Sequence, residues 1–205
     1  MKMWEEYEAR RLEAKLYNKC YIDYSINLNL TRTNMISTQR LHIIPLSYDQ
    51  LLTYLQANNL LETELGFKKT GRNISKDVKE MVESFTLPKI KESSATDFIF
   101  YTFWIVVEKS SRVIVAELGF KGPPNGEGAV EIGYGIMPGY EGNGYMTEAV
   151  AGMIEWSTER KDLNMIMASI DENNIASIHI VQKNNFESLG KKGGLLWWRR
   201  LVYAS

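Results

Sequence analysis

From Val130 to Ala149 an alternating strand runs into a turn carrying Gly139, Gly142 and Gly144, and then directly into a helix. That order constrains the fold and the ligand chemistry together. Glycines let backbone N–H groups point inward with no Cβ in the way, and the first turn of the helix adds unpaired donors and the positive end of its dipole. A phosphate-bearing ligand is the natural guest. The helix-end contribution to holding an anion is about 0.3 to 1 kcal/mol when exposed and up to about 2 when partly buried, so several N–H bonds must share the work. Along the strand, alternation puts Val130, Ile132, Tyr134 and Ile136 on one face and Glu131, Gly133 and Gly135 on the other, so Glu131 overlooks an open space. Glu131 is therefore either a general base or a solvent-facing strand charge.

Around this centre the chain alternates strand and helix patterns. Residues 3–19 read as a helix and 26–38 as a linker. A strand spans Met35 to Leu46, followed by a Ser47-to-Asp49 cap and a helix that continues towards Leu65 with a break. Ser75 to Phe85 forms a second helix. Strands at Phe98–Glu108 and Arg112–Phe120 are joined by Lys109-Ser110-Ser111, and Ala129–Met137 completes a meander. The glycine-turn helix runs to about Arg160. A strand at Ile166–Ile170, a helix at Asn173–Asn184 and a hairpin of Phe186–Leu189 with Leu195–Tyr203 close the pattern. The whole is mixed α/β, one sheet flanked by helices.

Composition narrows the function. Across 205 residues the net charge is −1, so the broad basic footprint of a nucleic-acid binder is absent. Cys20 is the single cysteine, which excludes an internal disulfide and a thiolate metal cluster. His42 and His179 have no partner at metal-ligand spacing, and no metal is expected. The apolar run Phe98–Val107 is too short to span a bilayer as a helix, and residues 1–20 show no apolar signal core. A cytoplasmic location is the default expectation. A P-loop is disfavoured because no Lys-Ser or Lys-Thr pair follows the glycines.

A second motif is Asn174-Ile175-Ala176-Ser177 followed by Lys183-Asn184-Asn185-Phe186. Residues three apart share a helix face, so Asn174 and Ser177 project together. Read alone, Asn174 is a helix-start residue and Ser177 an ordinary exposed hydroxyl. Taken with Pro138 to Ala149, in the correct order and over roughly residues 36–203, the chain resembles the GCN5-related N-acetyltransferase (GNAT) superfamily, specifically its branch of ribosomal-protein N-terminal acetyltransferases. The resemblance implies a mixed, mostly antiparallel central sheet flanked by helices, with residues 35–205 as the acetyltransferase domain and 1–34 as a helical extension and linker.

It also implies that the pyrophosphate of acetyl-coenzyme A, the co-substrate, lies on Ile136, Met137, Glu141, Gly142, Asn143, Gly144, Tyr145 and Met146, and that Asn174 helps hold the pantetheine arm. Glu131 would act as general base and Ser177 as proton donor to the departing thiolate, with Tyr134, Tyr140 or Tyr145 as substitutes. Two residues depart from the family pattern. Met146 stands where Gly or Ala is usual, a mild change because the contact there comes from backbone. Glu141 stands where Arg or Gln opens the turn, and its carboxylate is expected to face solvent. The acceptor would be a primary amine, on a protein N-terminus or a small molecule, attacking the thioester directly in a ternary complex. At pH 7 an α-amine costs about 1 kcal/mol to deprotonate and a lysine amine about 4 to 5, so an N-terminal amine needs little help. A non-catalytic acyl-coenzyme A sensor is the alternative, and a homodimer is compatible with the sequence.

Overall fold

The computed structural model describes residues 35–56, 59–94 and 96–202. The expected helix at 3–19, Cys20, the linker up to residue 34 and Tyr203 lie outside the described residues. Eight strands form one sheet in the order β1-β2-β3-β4-β5-β6-β8-β7. They are β1 (Ile36–Ser37), β2 (Leu41–Pro45), β3 (Trp104–Glu108), β4 (Val113–Phe120), β5 (Ala129–Ile136), β6 (Met165–Asp171), β7 (Glu187–Lys192) and β8 (Leu195–Leu201). Every pairing is antiparallel except β5 with β6. That parallel pair is short. Ala129, Val130 and Glu131 pair with Met165, Ile166 and Met167, and beyond Glu131 the two strands are no longer paired.

Helices cover both faces. On one side lie α5 (Tyr145–Thr158) and α6 (Ile175–Lys183). Val150 and Met153 of α5 and Val181 of α6 are fully buried against Trp104, Val106 and Ile166 of the sheet. Gly152 lets α5 sit close, because a Cβ there would lie 2.8 Å from Thr38 Cγ2 and 3.2 Å from Ile43 Cδ1. Trp156 packs edge-on to Trp104 with ring centroids 5.4 Å apart and stacks on Phe120 at 6.1 Å.

The opposite face carries α1 (Tyr48–Tyr54), α2 (Leu60–Leu65), α3 (Lys76–Met81) and α4 (Leu87–Glu92). Ser47 starts α1 through a capping box with Gln50. Leu51, Tyr54, Leu61 and Val82 are buried there against Ile105 and Ile114.

Three elements differ from their sequence pattern. The strand expected from Phe98 begins only at Trp104, because Phe98–Phe100 wind into a 3₁₀ turn held by the indole of Trp104 donating to the Ile99 carbonyl at 3.0 Å. The first strand divides into β1 and β2 around Thr38, whose hydroxyl accepts from Leu41 N–H at 3.1 Å. The helix expected to stop at Phe85 instead passes through a π turn, Val82–Thr86, and continues to Glu92. Pro88 explains the π turn, since it has no N–H and its ring would collide with the carbonyl four residues back. The backbone widens instead, and Leu87 N–H donates to the Val82 carbonyl.

Candidate active site

The glycine turn is built from backbone. Gly139, Gly142 and Gly144 have φ of +86°, +75° and +76°, the left-handed region that other residues enter only under strain. Gly144 is the N-cap of α5, and no side chain caps the helix. The first helical bond runs from Glu148 N–H to the Gly144 carbonyl at 3.1 Å, so the N–H groups of Tyr145, Met146 and Thr147 precede it. A cavity of about 240 Å³ opens in front of them, lined by Ile136, Glu141, Gly142, Gly144 and, from α6, His179 and Lys183. Glu141 is exposed, as its charge requires, and its carboxylate accepts from Gly139 N–H at 2.7 Å. Asn143 turns its amide back onto the Tyr140 and Glu141 carbonyls, each at 3.1 Å, which fixes the loop. Met137 lies on another surface, packed with the residues of the α1–α4 face, while its carbonyl closes the turn by accepting from Tyr140 N–H at 3.1 Å.

Arg40 anchors the turn to the β1–β2 corner. Its guanidinium donates to Glu148 at 2.6 Å and to the Asn143 carbonyl at 3.1 Å, and it lies 5.0 Å from the centre of the Tyr145 ring. Partial burial pushes the Glu148 carboxyl up, but hydrogen bonds from Thr38 and Arg40 and the Arg40 charge outweigh it and leave the group below its ordinary value. Arg40 is 108 residues from Glu148, a distance no local pattern reveals.

Where β5 and β6 part, a second cavity of about 170 Å³ forms between Ile132, Gly133 and Tyr134 on one strand and Ala168, Ser169, Ile170 and Asp171 on the other. Asn174 and Ser177 border it. The Asn174 side chain caps α6 by accepting from Ser177 N–H at 3.1 Å, so it has the helix-start role that its residue type suggests. Tyr134 reaches across, its hydroxyl donating to the Ser177 carbonyl at 3.3 Å, and burial keeps its pKa above the ordinary tyrosine value despite that bond. Tyr140 and Tyr145 line the glycine-turn cavity instead.

A third cavity, of about 610 Å³, occupies the α1–α4 face. It meets the second at Lys121, Gly133 and Tyr134, which line both. Its floor is bare backbone, because Gly119 pairs with Gly133 and Glu117 with Gly135. Its walls are Val78, Met81, Phe85, Tyr101 and Phe103. Two charged residues line it, Glu117 and Lys121.

Glu131 sits at the last paired position of β5, in register with Met167. Its Oε1 accepts from Lys121 Nζ and from Ser169 Oγ, each at 2.5 Å. The carboxylate therefore stands in an ion pair, partly exposed, on the Gly133–Gly135 face of β5 but outside the linings of the second and third cavities; Lys121 and Ser169 connect it to them. Glu117 lies deeper. Burial raises its pKa, and the Tyr54 hydroxyl donates to it. Behind Tyr54, Arg72 lies 4.1 Å over the phenol ring and pairs with Glu62 at 3.1 Å, with side chains only 5% and 0% exposed. Sequence reading missed Tyr54, Glu62, Arg72 and Glu117, which meet from four separate segments.

An uncapped glycine-turn helix, a sheet that splits beside it and a deep pocket on the far face define a scaffold for joining an anion-ended ligand to a second molecule across the sheet. The family described as the acetyltransferase (GNAT) domain matches residues 40–187. The chain belongs to that family, and as a member it is an acetyl-coenzyme A-dependent N-acetyltransferase. Among relatives, the uncharacterized N-acetyltransferase YjdG of Bacillus subtilis is 26% identical over 152 residues, spanning 74% of this chain and 89% of that protein.

Solved structures share the fold. RimL, a ribosomal L7/L12 alpha-N-protein acetyltransferase in complex with coenzyme A, aligns with a TM-score of 0.59 at 14% identity, covering 83% of this chain and 99% of that one. A ribosomal-protein-S5-alanine acetyltransferase from Vibrio fischeri aligns at 0.55 and 16% identity, covering 82% and 96%. Among the described residues no helix is long and apolar enough to cross a membrane.

Proposed function

We propose that residues 35–205 hold acetyl-coenzyme A along the path of the first two cavities and pass its acetyl group to a primary amine seated in the third. The observation that carries this reading is the set of uncapped N–H groups at Tyr145, Met146 and Thr147 bordering a cavity whose other wall is Ala176, His179 and Lys183 of α6. Gly142, Asn143, Gly144 and the start of α5 take the diphosphate, with Lys183 of α6 as a facing cation. Ile136 borders the same end, whereas Met137 serves only to close the turn, and Asn174, by holding the first turn of α6, shapes the gap for the pantetheine arm.

No step depends on a covalent enzyme intermediate. The amine, placed against the thioester carbonyl at Gly133 and Tyr134, loses its proton to Glu131 through one water. Both protein bonds to Glu131 fall on Oε1, which leaves Oε2 for this task. Lys121 and Ser169 orient the carboxylate. The thiolate leaves beside Tyr134, whose hydroxyl turns from the Ser177 carbonyl, which it contacts in the free protein, to deliver its proton to sulfur. The acceptor is a primary amine, on a protein N-terminus or a small molecule, and the cytoplasm, with a second copy of the chain as partner, is the setting this reading takes.

The test is calorimetric titration with acetyl-coenzyme A, then thiol release with a panel of amines. Micromolar binding and amine-dependent release are expected. Failure to bind would end the proposal, and binding without release for any acceptor would favour the sensor.

A further inference from the structure

We infer that the acceptor is a diamine-type molecule, whose second, non-reacting ammonium is held by Glu117 about 7 Å from the reacting nitrogen. This rests on the acetyl-transfer reading above and adds to it the class of acceptor.

Register sets the spacing. The thioester reaches the large cavity where that cavity joins the gap between β5 and β6, at Lys121, Gly133 and Tyr134. Gly133 faces Gly119, whereas Glu117 faces Gly135, one step further along the same face of the sheet. Two residues of strand span about 7 Å, roughly the separation of two nitrogens joined by four or five methylenes. A group at Glu117 is thus offset from the reacting atom and cannot be the same nitrogen.

Charge supplies the second argument. Glu62 and Glu117 share one nearby cation, Arg72. Arg72 donates its Nε to Glu62 and a further N–H to the Tyr54 carbonyl at 3.3 Å. Glu117 receives only the neutral Tyr54 hydroxyl, and among the described residues no cationic side chain forms an ion pair with it. The other charged lining residue, Lys121, is spent on Glu131. The cluster therefore carries one more negative than positive charge when Glu117 is ionised. A buried carboxylate in that position is costly until a cation reaches it. Burial raises the Glu117 pKa for the same reason.

The walls fit the spacer. Met81 and Phe85, 44% and 46% exposed, project large apolar surface at the cavity rim, and Phe103 and Tyr101 continue it inward. Methylenes gain from that surface, whereas the amides of a peptide would meet few partners on it.

The experiment compares putrescine and cadaverine with n-butylamine and n-pentylamine, and with a peptide bearing an N-terminal alanine, by thiol release at saturating acetyl-coenzyme A. Expected is a kcat/KM at least about tenfold higher for the diamines, from one charge-assisted contact. Glu117→Gln should erase that ratio while monoamine turnover and the acetyl-coenzyme A thermal shift persist. Should Glu117→Gln fail to fold, Glu117→Asp should move the preference to the longer diamine. Equal turnover of diamines and monoamines, a ratio that survives in Glu117→Gln, an unchanged length preference in Glu117→Asp, or preference for the peptide overturns the inference alone. Absence of an acetyl-coenzyme A thermal shift in the native protein overturns the acetyl-transfer reading together with it.

Discussion

Gly142→Val separates the ligand role of the turn from its structural role. The backbone there has φ +75°, and a Cβ built on it meets nothing within 4 Å. The folded state therefore suffers backbone strain with no steric clash, about 1 to 2 kcal/mol, which in a domain of this size lowers Tm by roughly 2 to 8 °C. The ligand loses more. Valine methyls fill the concave side of the turn and keep a phosphate from the neighbouring N–H groups. Losing one charged hydrogen bond costs about 1.5 to 3 kcal/mol, a rise of roughly 10- to 150-fold in the dissociation constant for acetyl-coenzyme A. Gly71→Val is the control: its φ is +66° and its Cβ also meets nothing within 4 Å, but it lines none of the three cavities. It should show a similar Tm loss and unchanged affinity. Calorimetry on both variants decides the matter. Equal affinities in Gly142→Val and native protein, with both folded, would refute the cradle.

Further expectations concern catalysis and stability. Glu131→Gln should lower turnover more than acetyl-coenzyme A affinity, with the deficit largest below neutral pH; a turnover equal to native would move the base elsewhere. Tyr134→Phe should cut kcat by roughly tenfold or more with the acetyl-coenzyme A dissociation constant unchanged, whereas Ser177→Ala, which keeps the carbonyl, should change little. Gly119→Ala places a Cβ 2.9 Å from the Thr102 carbonyl, so thermal unfolding should report a loss of about 1 to 3 kcal/mol. Glu108 accepts from the Ser111 and Ser110 side chains and N–H groups, which hold its carboxyl at about 2 against an ordinary 4.5. A depressed carboxyl stabilises the fold above its unfolded value and loses that contribution as pH falls through the folded one. Glu108→Gln should thus lower Tm at pH 7, with the gap from native closing between pH 4.5 and 2; a constant gap would refute it.

The parts of this fold legible in the sequence are those where period and punctuation agree. The glycine turn, α5, α6 and the β7–β8 hairpin follow from local residues alone, because Gly139, Gly142 and Gly144 demand positive φ and the flanking apolar residues repeat at helical or strand spacing. Phe98–Phe103 misled because aromatic and β-branched residues suit any buried backbone. Tertiary bonds from Trp104 to Ile99 and from Thr102 to the Leu46 carbonyl, at 2.6 Å, chose the turn. The π turn was encoded in Pro88, but a proline inside a helical pattern reads equally well as a stop. Asn174 and Ser177 show the converse: both were legible as a pair, and the capping geometry gives Asn174 its helix-start task first.

The face of the sheet on which a residue lies decides which substrate it can govern. Side chains of Val130, Ile132 and Ile136 commit β5 to the α5–α6 side, where Val130 and Ile132 are buried and the glycine-turn donors open. Gly133 and Gly135 leave part of its other face bare, so Glu117 of β4 and Lys121 just beyond that strand are the charged residues that line the space there. Strand separation after Glu131 is the only path that joins these faces among the described cavities. The donor site thus depends on main-chain atoms that tolerate sequence drift, as Glu141 and Met146 illustrate. The acceptor site proposed above depends instead on side chains from α1, α2, the segment around Arg72 and β4, brought together over long separations. That division explains why acetyl transfer is legible from a short motif, whereas the cluster of Tyr54, Glu62, Arg72 and Glu117, on which the proposed acceptor rests, is visible only in the folded chain.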